Sequence, residues 1–249
     1  MCSGWCTSSS SSFRKNGRTT SGRPGRWPPG TIIPGQSTRI PRLKTLEVSN
    51  LKCVRGERPL FDGLGFRLES GELLYLRGAN GAGKTSLLRL LCGLSRPEAG
   101  EILFNATPIG DQAEAFRQEL FYLGHHNALQ EALTVGDNLA FYAALAGTEP
   151  HAADTSRALE QMGLRGCQRR LVRHLSQGQK RRVALSRLLL NRASLWVLDE
   201  PFVALDHASI ALLAGVIAAH LRQGGMAVLT SHQQVDIPGA SAKTLELSA

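Results

Sequence analysis

The sequence predicts an α/β domain built on a largely parallel sheet. Short apolar runs of strand length alternate with helical segments along the chain. A glycine-rich turn, Gly78 to Gly83, separates one such run from a leucine-rich helix. A second run, Leu195 to Leu198, ends on two carboxylates, Asp199 and Glu200.

The elements follow in order. Leu46-Glu47-Val48-Ser49-Asn50-Leu51 alternates as a half-buried strand does. Gly56 interrupts, and Leu60 to Leu68 alternates again. Gly71 precedes the short strand Glu72 to Arg77. After the glycine turn, Lys84 to Leu94 reads as a helix with leucine at 87, 88, 90, 91 and 94. Gly100 to Asn105 is strand-like, and residues 111 to about 170 are mostly helical in pattern, with breaks near Gly124, Gly147–Pro150 and Gly163–Gly166. Residues 178–192 form an amphipathic pattern, Leu195 to Leu198 a buried strand, and 207–222 a helix ended by Gly224-Gly225. Ala227 to Thr230 is the next buried strand, and no internal repeat is found.

With 249 residues and 42% hydrophobic side chains, the chain suffices for one substantial domain, or one with a small appendage. Its longest uncharged apolar run, Ile210 to Ala219, is ten residues. A membrane-spanning helix needs roughly 20, which excludes an integral membrane protein but not a membrane-attached one. The net charge of +9 is misleading, because residues 1–46 hold eight of the 29 basic residues and no acidic one, leaving the rest near +1. The high pI therefore belongs to the tail, and no nucleic-acid partner is read from it.

Residues 1–45, rich in Ser, Thr, Gly, Pro and Arg, cannot bury enough apolar area to offset their ordering entropy. They are expected to be a disordered tail, or to reflect a translation start placed too far upstream. Their Ser- and Arg-rich, acid-free character resembles a mitochondrial transit peptide, but the Pro and Gly content opposes the amphipathic helix such a peptide needs. The five cysteines (Cys2, Cys6, Cys53, Cys92 and Cys167) are scattered and odd in number, as reduced thiols would be. Cys2 with Cys6 lacks the second ligand pair that zinc needs.

Gly78-Ala79-Asn80-Gly81-Ala82-Gly83-Lys84-Thr85 fits G-x-x-x-x-G-K-[ST] between a strand and a helix, the context that motif requires. Glycines let backbone N–H groups approach phosphates, aided by the positive helix end. Lys84 supplies an ammonium for the β- and γ-phosphates, the Thr85 hydroxyl a Mg²⁺ ligand, and Ser86 extends the nucleotide-binding set. Asp199, delivered by a buried strand, suits Mg²⁺ coordination. Glu200 is placed to orient or deprotonate a water attacking the γ-phosphate. His232 follows the last buried strand and is the second catalytic candidate, in reach of a γ-phosphate at the carboxyl edge of the sheet. Leu175-Ser176-Gln177-Gly178-Gln179 opens a helix, with Ser176 as its N-cap and an anion site in the following turn.

Together these residues resemble the ATP-binding cassette ATPases, the nucleotide-binding subunits of ABC transporters. The resemblance spans about Leu46 to His232. GANGAGKT is similar to the family's Walker A, LSQGQ to its LSGGQ signature with Gln177 for a glycine, and LWVLDEP to Walker B with the catalytic glutamate. Ala204-Leu205-Asp206 resembles the D-loop and Thr230-Ser231-His232 the H-loop. The resemblance implies a P-loop ATPase fold: a RecA-like, mainly parallel core, a small antiparallel β subdomain and an inserted helical subdomain at about 111–190. It implies ATP and Mg²⁺ as cofactors. It also implies a head-to-tail homodimer in which Ser176, Gly178 and Gln179 meet the partner subunit's nucleotide and Asp206 links the two sites.

Two departures stand out. Gly124-His125-His126 occupies the place of the family's Q-loop glutamine, and either histidine is a candidate replacement. No aromatic stands near Cys53–Arg55, where the family stacks adenine, so either Arg55 stacks by its guanidinium plane or nothing does.

One branch is more similar still: the haem-exporter ATPases of cytochrome c biogenesis. Gly124-His125, Arg181-Arg182-Val183-Ala184-Leu185-Ser186-Arg187 and Gly224-Gly225-Met226 carry that likeness. It implies membrane subunits resembling CcmB, CcmC and CcmD, the haem chaperone CcmE as an indirect partner, and a peripheral site on the cytoplasmic face of a bacterial inner membrane, with mitochondria as the alternative. An ATPase serving another exporter, or a soluble cassette in DNA repair or translation, are the competing readings. The soluble class usually carries long insertions, zinc modules or tandem cassettes, which this chain lacks.

Overall fold

The computed structural model describes residues 43–148, 151–231 and 235–248. The tail expected over residues 1–45 lies outside them up to Arg42, as do Cys2, Cys6 and His232. Two sheets form the body. One is antiparallel, with β1 (Thr45–Arg55), β2 (Arg58–Glu69), β4 (Ala99–Phe104) and β5 (Thr107–Pro108) in the order β2-β1-β4-β5. The other is wholly parallel, with β3 (Glu72–Gly78), β6 (Leu120–Leu123), β7 (Leu195–Leu198), β8 (Met226–Thr230) and β9 (Ser241–Leu247) in the order β6-β7-β8-β3-β9. The helices are α1 (Lys84–Leu91), α2 (Ala113–Glu119), α3 (Val135–Leu145), α4 (Ala152–Gln161), α5 (Gln177–Ser186) and α6 (His207–Arg222).

The parallel strands are apolar on both faces because both faces are covered. In β3, Leu74 and Leu76 pack with α1 and the antiparallel sheet, whereas Leu73 and Tyr75 pack with α5 and α6. Strand β7 divides the same way, with Leu195 and Val197 on one side and Trp196 and Leu198 on the other. A third cluster joins α3, α4 and α5 through Val135, Leu139, Leu159 and Val183. Helix α5 thus packs its Val183 into that cluster and its Ala184 and Leu185 against the parallel sheet.

Two local expectations are corrected, and one strand is added. The helical pattern from residue 111 is broken by β6, whose Leu120 to Leu123 pair in parallel with Leu195 to Leu198. A four-residue apolar run has no period that separates strand from helix. The helix expected over 178–192 ends at Ser186, where Ser186 Oγ donates to the Val183 carbonyl and a 3-10 turn follows. Strand β9 extends the sheet beyond the last strand that the sequence pattern predicts. It is mostly exposed, and its seven residues owe their conformation to pairing with β3. Among the described residues, no helix is long and apolar enough to cross a membrane.

Candidate nucleotide-binding site

The site is assembled at the carboxyl ends of parallel strands, where ligands of open α/β sheets bind. Strand β3 runs into the glycine loop, and two glycines there are required by the fold. A Cβ at Gly78 would lie 2.5 Å from the Leu247 carbonyl oxygen of β9, with φ at 141°. Gly83 caps α1 in the left-handed region at φ 98°, and a Cβ there would press on Leu60 and Phe61 of β2 at 3.2–3.3 Å. The antiparallel sheet therefore abuts the loop directly.

Lys84 is almost buried, and its Nζ donates to the carbonyls of Gly78 at 2.7 Å and Ala79 at 3.1 Å. An ammonium has three donors, so one N–H is left for an anion in the loop. Thr85 Oγ1 donates to Asp199 Oδ2 at 3.1 Å. Thr230 Oγ1 donates to the other carboxylate oxygen at 2.7 Å. The same Thr230 oxygen accepts from the Glu200 backbone N–H at 2.7 Å. Glu200 itself sits at φ 48°, a left-handed conformation unusual for a non-glycine residue.

A cavity of about 390 Å³ lies over these groups, lined by Asn80, Gly81, Gly83, Lys84, Thr85 and Ser86 on one side and Asp199 and Glu200 on another. It combines a cation, a positive helix end, a buried carboxylate and a second carboxylate, which is the chemistry of phosphoanhydride hydrolysis. The metal donor set also fits. The Thr85 hydroxyl and Asp199 carboxylate are hard oxygens in direct contact, as Mg²⁺ prefers when waters and substrate phosphates complete its shell. No cluster of three or more His, Cys, Asp or Glu residues suited to a metal occurs among the described residues.

Residues 61–203 match the family model for ABC transporters. The chain belongs to the ABC transporter family. It is that family's ATP-hydrolysing type of subunit, a type that binds nucleotide. The protein is 62% identical to the cytochrome c biogenesis ATP-binding export protein CcmA of Albidiferax ferrireducens, over 83% of this chain and 99% of that protein. It is 45% identical to the protein of the same name from Escherichia coli O157:H7, over 82% of this chain and 96% of that one. Among solved structures, an ABC transporter ATP-binding protein from Pyrococcus furiosus superposes with a TM-score of 0.71 at 28% identity, covering 82% of this chain and 97% of that one.

In this ABC ATPase the remaining expected residues fall in different places. His125 Nδ1 is 3.8 Å from Glu200 Oε2, whereas His126 packs edge-on against the His125 ring. Of the two histidines, His125 is the one brought to the carboxylate. Ser176 and Gln179 bond each other in a reciprocal cap on α5, side chain to backbone in both directions. Gly178 lies against the Ala204 carbonyl, where a Cβ would come within 3.0 Å. Asp206 caps α6 through Ser209, and hydrogen bonds from the Ser209 side chain and backbone hold its carboxyl below the ordinary value. None of Ser176, Gly178, Gln179 or Asp206 is among the residues lining the cavity.

The cavity also has a wall outside the motifs. Arg55 and Arg58 sit opposite one another at the end of the β1–β2 hairpin, and both line it, with Leu60. Of these, Arg55 is a candidate from the sequence, whereas Arg58 and Leu60 belong to no motif. The available signal was two arginines flanking the Gly56 turn of a hairpin that must approach the loop.

Proposed function

We propose that this chain is the ATP-hydrolysing subunit of a cytochrome c biogenesis export complex, coupling ATP to haem export or to release of the haem chaperone. What carries the reading is the convergence of the Lys84 loop with Asp199 and Glu200 in one cavity, together with 62% identity to a full-length CcmA. Lys84 binds the β- and γ-phosphates, and the hairpin arginines face the rest of the nucleotide. Thr85 and Asp199 hold Mg²⁺, which supplies charge neutralisation on the phosphates when bound.

Glu200 then orients a water and takes its proton as the water oxygen bonds to the γ-phosphorus. The bond from that phosphorus to the β-phosphate oxygen breaks, leaving ADP and inorganic phosphate. His125, beside Glu200, is the favoured sensor of the γ-phosphate in place of a glutamine, and His232 is a second one by its motif. The signature residues Ser176, Gly178 and Gln179 lie apart from the chain's own cavity, which supports a head-to-tail pair in which they close on the partner subunit's nucleotide and Asp206 joins the two sites. Residues 46–249 form the ATPase unit, with α3, α4 and α5 as its inserted helical part.

Closure of that pair drives membrane subunits resembling CcmB, CcmC and CcmD, and CcmE through them, from the cytoplasmic face of a bacterial inner membrane. The relatives reported above that carry the CcmA name are bacterial, which favours this place over mitochondria. The test is affinity purification of the full-length Glu200→Gln protein from native membranes with ATP and Mg²⁺, followed by mass spectrometry. Recovery of cytochrome c maturation membrane subunits is expected. Recovery of a different permease would overturn the haem assignment and leave the ATPase chemistry standing.

A further inference from the structure

Arg181 lies in α5, five residues beyond Ser176, and only 4% of it is exposed. Its Nη2 donates to two successive backbone carbonyls, Asp199 at 3.1 Å and Glu200 at 2.7 Å. Its Nη1 donates to Asn127 Oδ1 at 3.1 Å, on the loop that carries His125 and His126. Its Nε is buried without a partner among the described residues. One guanidinium thus ties together three segments: the helix that begins at the signature, the turn after β7, and the histidine loop.

The two carbonyls belong to the peptides on either side of the Glu200 Cα. The Glu200 N–H is held as well, by Thr230 Oγ1. Every backbone polar group around that Cα is therefore bonded, and its left-handed conformation, φ 48°, is determined from outside. Backbone dihedrals set the direction of Cβ, and so the direction of the carboxylate. A buried cation bonded to neutral oxygens is a poor source of stability compared with an apolar side chain of equal size. Holding two peptides and an amide at fixed angles is what a planar, multi-donor fork does well, and what a lysine cannot do.

We infer that Arg181 is a positioning residue that sets the aim of Glu200 and makes it follow the signature helix. Movement of α5, whose first turn carries Ser176 and Gly178, is transmitted through this one side chain to the turn that presents the carboxylate. The inference rests on the proposed role of Glu200 as the base.

The test uses the full-length protein with Arg181→Lys, Asn127→Ala and Glu200→Gln side by side, each measured for kcat, nucleotide Kd and melting temperature. Arg181→Lys is expected to lower kcat 10- to 100-fold with Kd within twofold of the parent. Asn127→Ala leaves the arginine in place but loosens the fork, and is expected to lower kcat three- to tenfold with Kd and Tm unchanged. In Asn127→Ala, loss of affinity or of Tm in step with kcat would mark a merely structural role and overturn the inference. Normal kcat in Asn127→Ala would do the same, even where Arg181→Lys fails to fold. Hydrolysis persisting in Glu200→Gln would instead remove Glu200 as the base, a different failure with a different signature.

Discussion

The rings of Trp196 and His220 stack face to face, their centroids 3.7 Å apart and their planes within 5°. Trp196 comes from β7 and His220 from the last turn of α6, so the stack binds the helix to the strand that delivers Asp199. His220 Nε2 lies 3.2 Å from the Met226 carbonyl at the start of β8. Burial, only partly offset by hydrogen bonds to the Met226 and Ser194 backbone, pushes the imidazole down to about 4.

That shift has a definite sign. The folded pKa lies below the unfolded value of 6.5, so between pH 6.5 and 4 the unfolded chain binds a proton that the folded chain does not. Stability is fully present above pH 6.5 and falls as pH drops through this window, by about 3 kcal/mol at most. Urea midpoints of the parent should decline across it, and those of His220→Phe, which keeps a ring for stacking, should decline less. Parallel profiles for the two proteins would refute the role given to His220.

Gly225 is bound to the same histidine by sterics. A Cβ there would lie 2.2 Å from His220 Nε2. Gly225→Ala should cost about 1–3 kcal/mol through overpacking. Most of that cost should vanish when alanine is introduced at 225 in a His220→Ala background. Denaturant titration of the four proteins in the cycle measures it, and simple additivity would show that the clash is relieved elsewhere.

Arg187 places its guanidinium 3.5 Å from the centroid of Tyr142 and 5.4 Å from that of Phe121. The stack joins α3 to the strand β6 through the turn after α5. Tyr142→Leu removes the ring and its hydroxyl together and should lower stability by about 3 kcal/mol, about 2 of it the scale of a desolvated cation–π contact and about 1 the hydroxyl bond. Tyr142→Phe retains the ring and loses only the hydroxyl bond to the Ala128 carbonyl, so it should cost about 1 kcal/mol. Thermal melts of the pair rank the two contributions, and equal losses would assign the effect to the hydroxyl.

Lys44 precedes the first strand and is tied to the body. Its backbone N–H donates to Ser70 Oγ at 2.8 Å and its ammonium bonds Glu119 at 2.5 Å. Removing residues 1–42 should leave nucleotide affinity and Tm unchanged, because that segment contains none of the motifs. Removing residues 1–44 should lower Tm by a few degrees through loss of the Lys44 contacts. A large loss in the shorter truncation would give the tail a structural role.

Glu200→Gln should retain nucleotide while kcat falls by about 100-fold or more, since it removes only the proton acceptor. Steady-state hydrolysis alongside nucleotide titration separates the two quantities. Near-normal turnover would exclude Glu200 as the base.

The α/β class, the loop from Gly78 to Thr85 and the Asp199–Glu200 strand end are legible from the residues alone, because each is written locally. Glycine spacing, a lysine at a helix start and a four-residue apolar run before two carboxylates need no distant partner to be read. Tertiary structure alone decided which histidine meets Glu200, because His125 and His126 are adjacent and equal in chemistry. It decided β6 and β9, whose short runs become strands only by pairing with β7 and β3. It placed Arg58 and Leu60 in the cavity wall through the packing of Gly83 against β2. It also made Arg181 a clamp, since its carbonyl partners lie 18 and 19 residues away and its amide partner 54. Contacts across such separations depend on how the sheet stacks its strands, and no local periodicity encodes that.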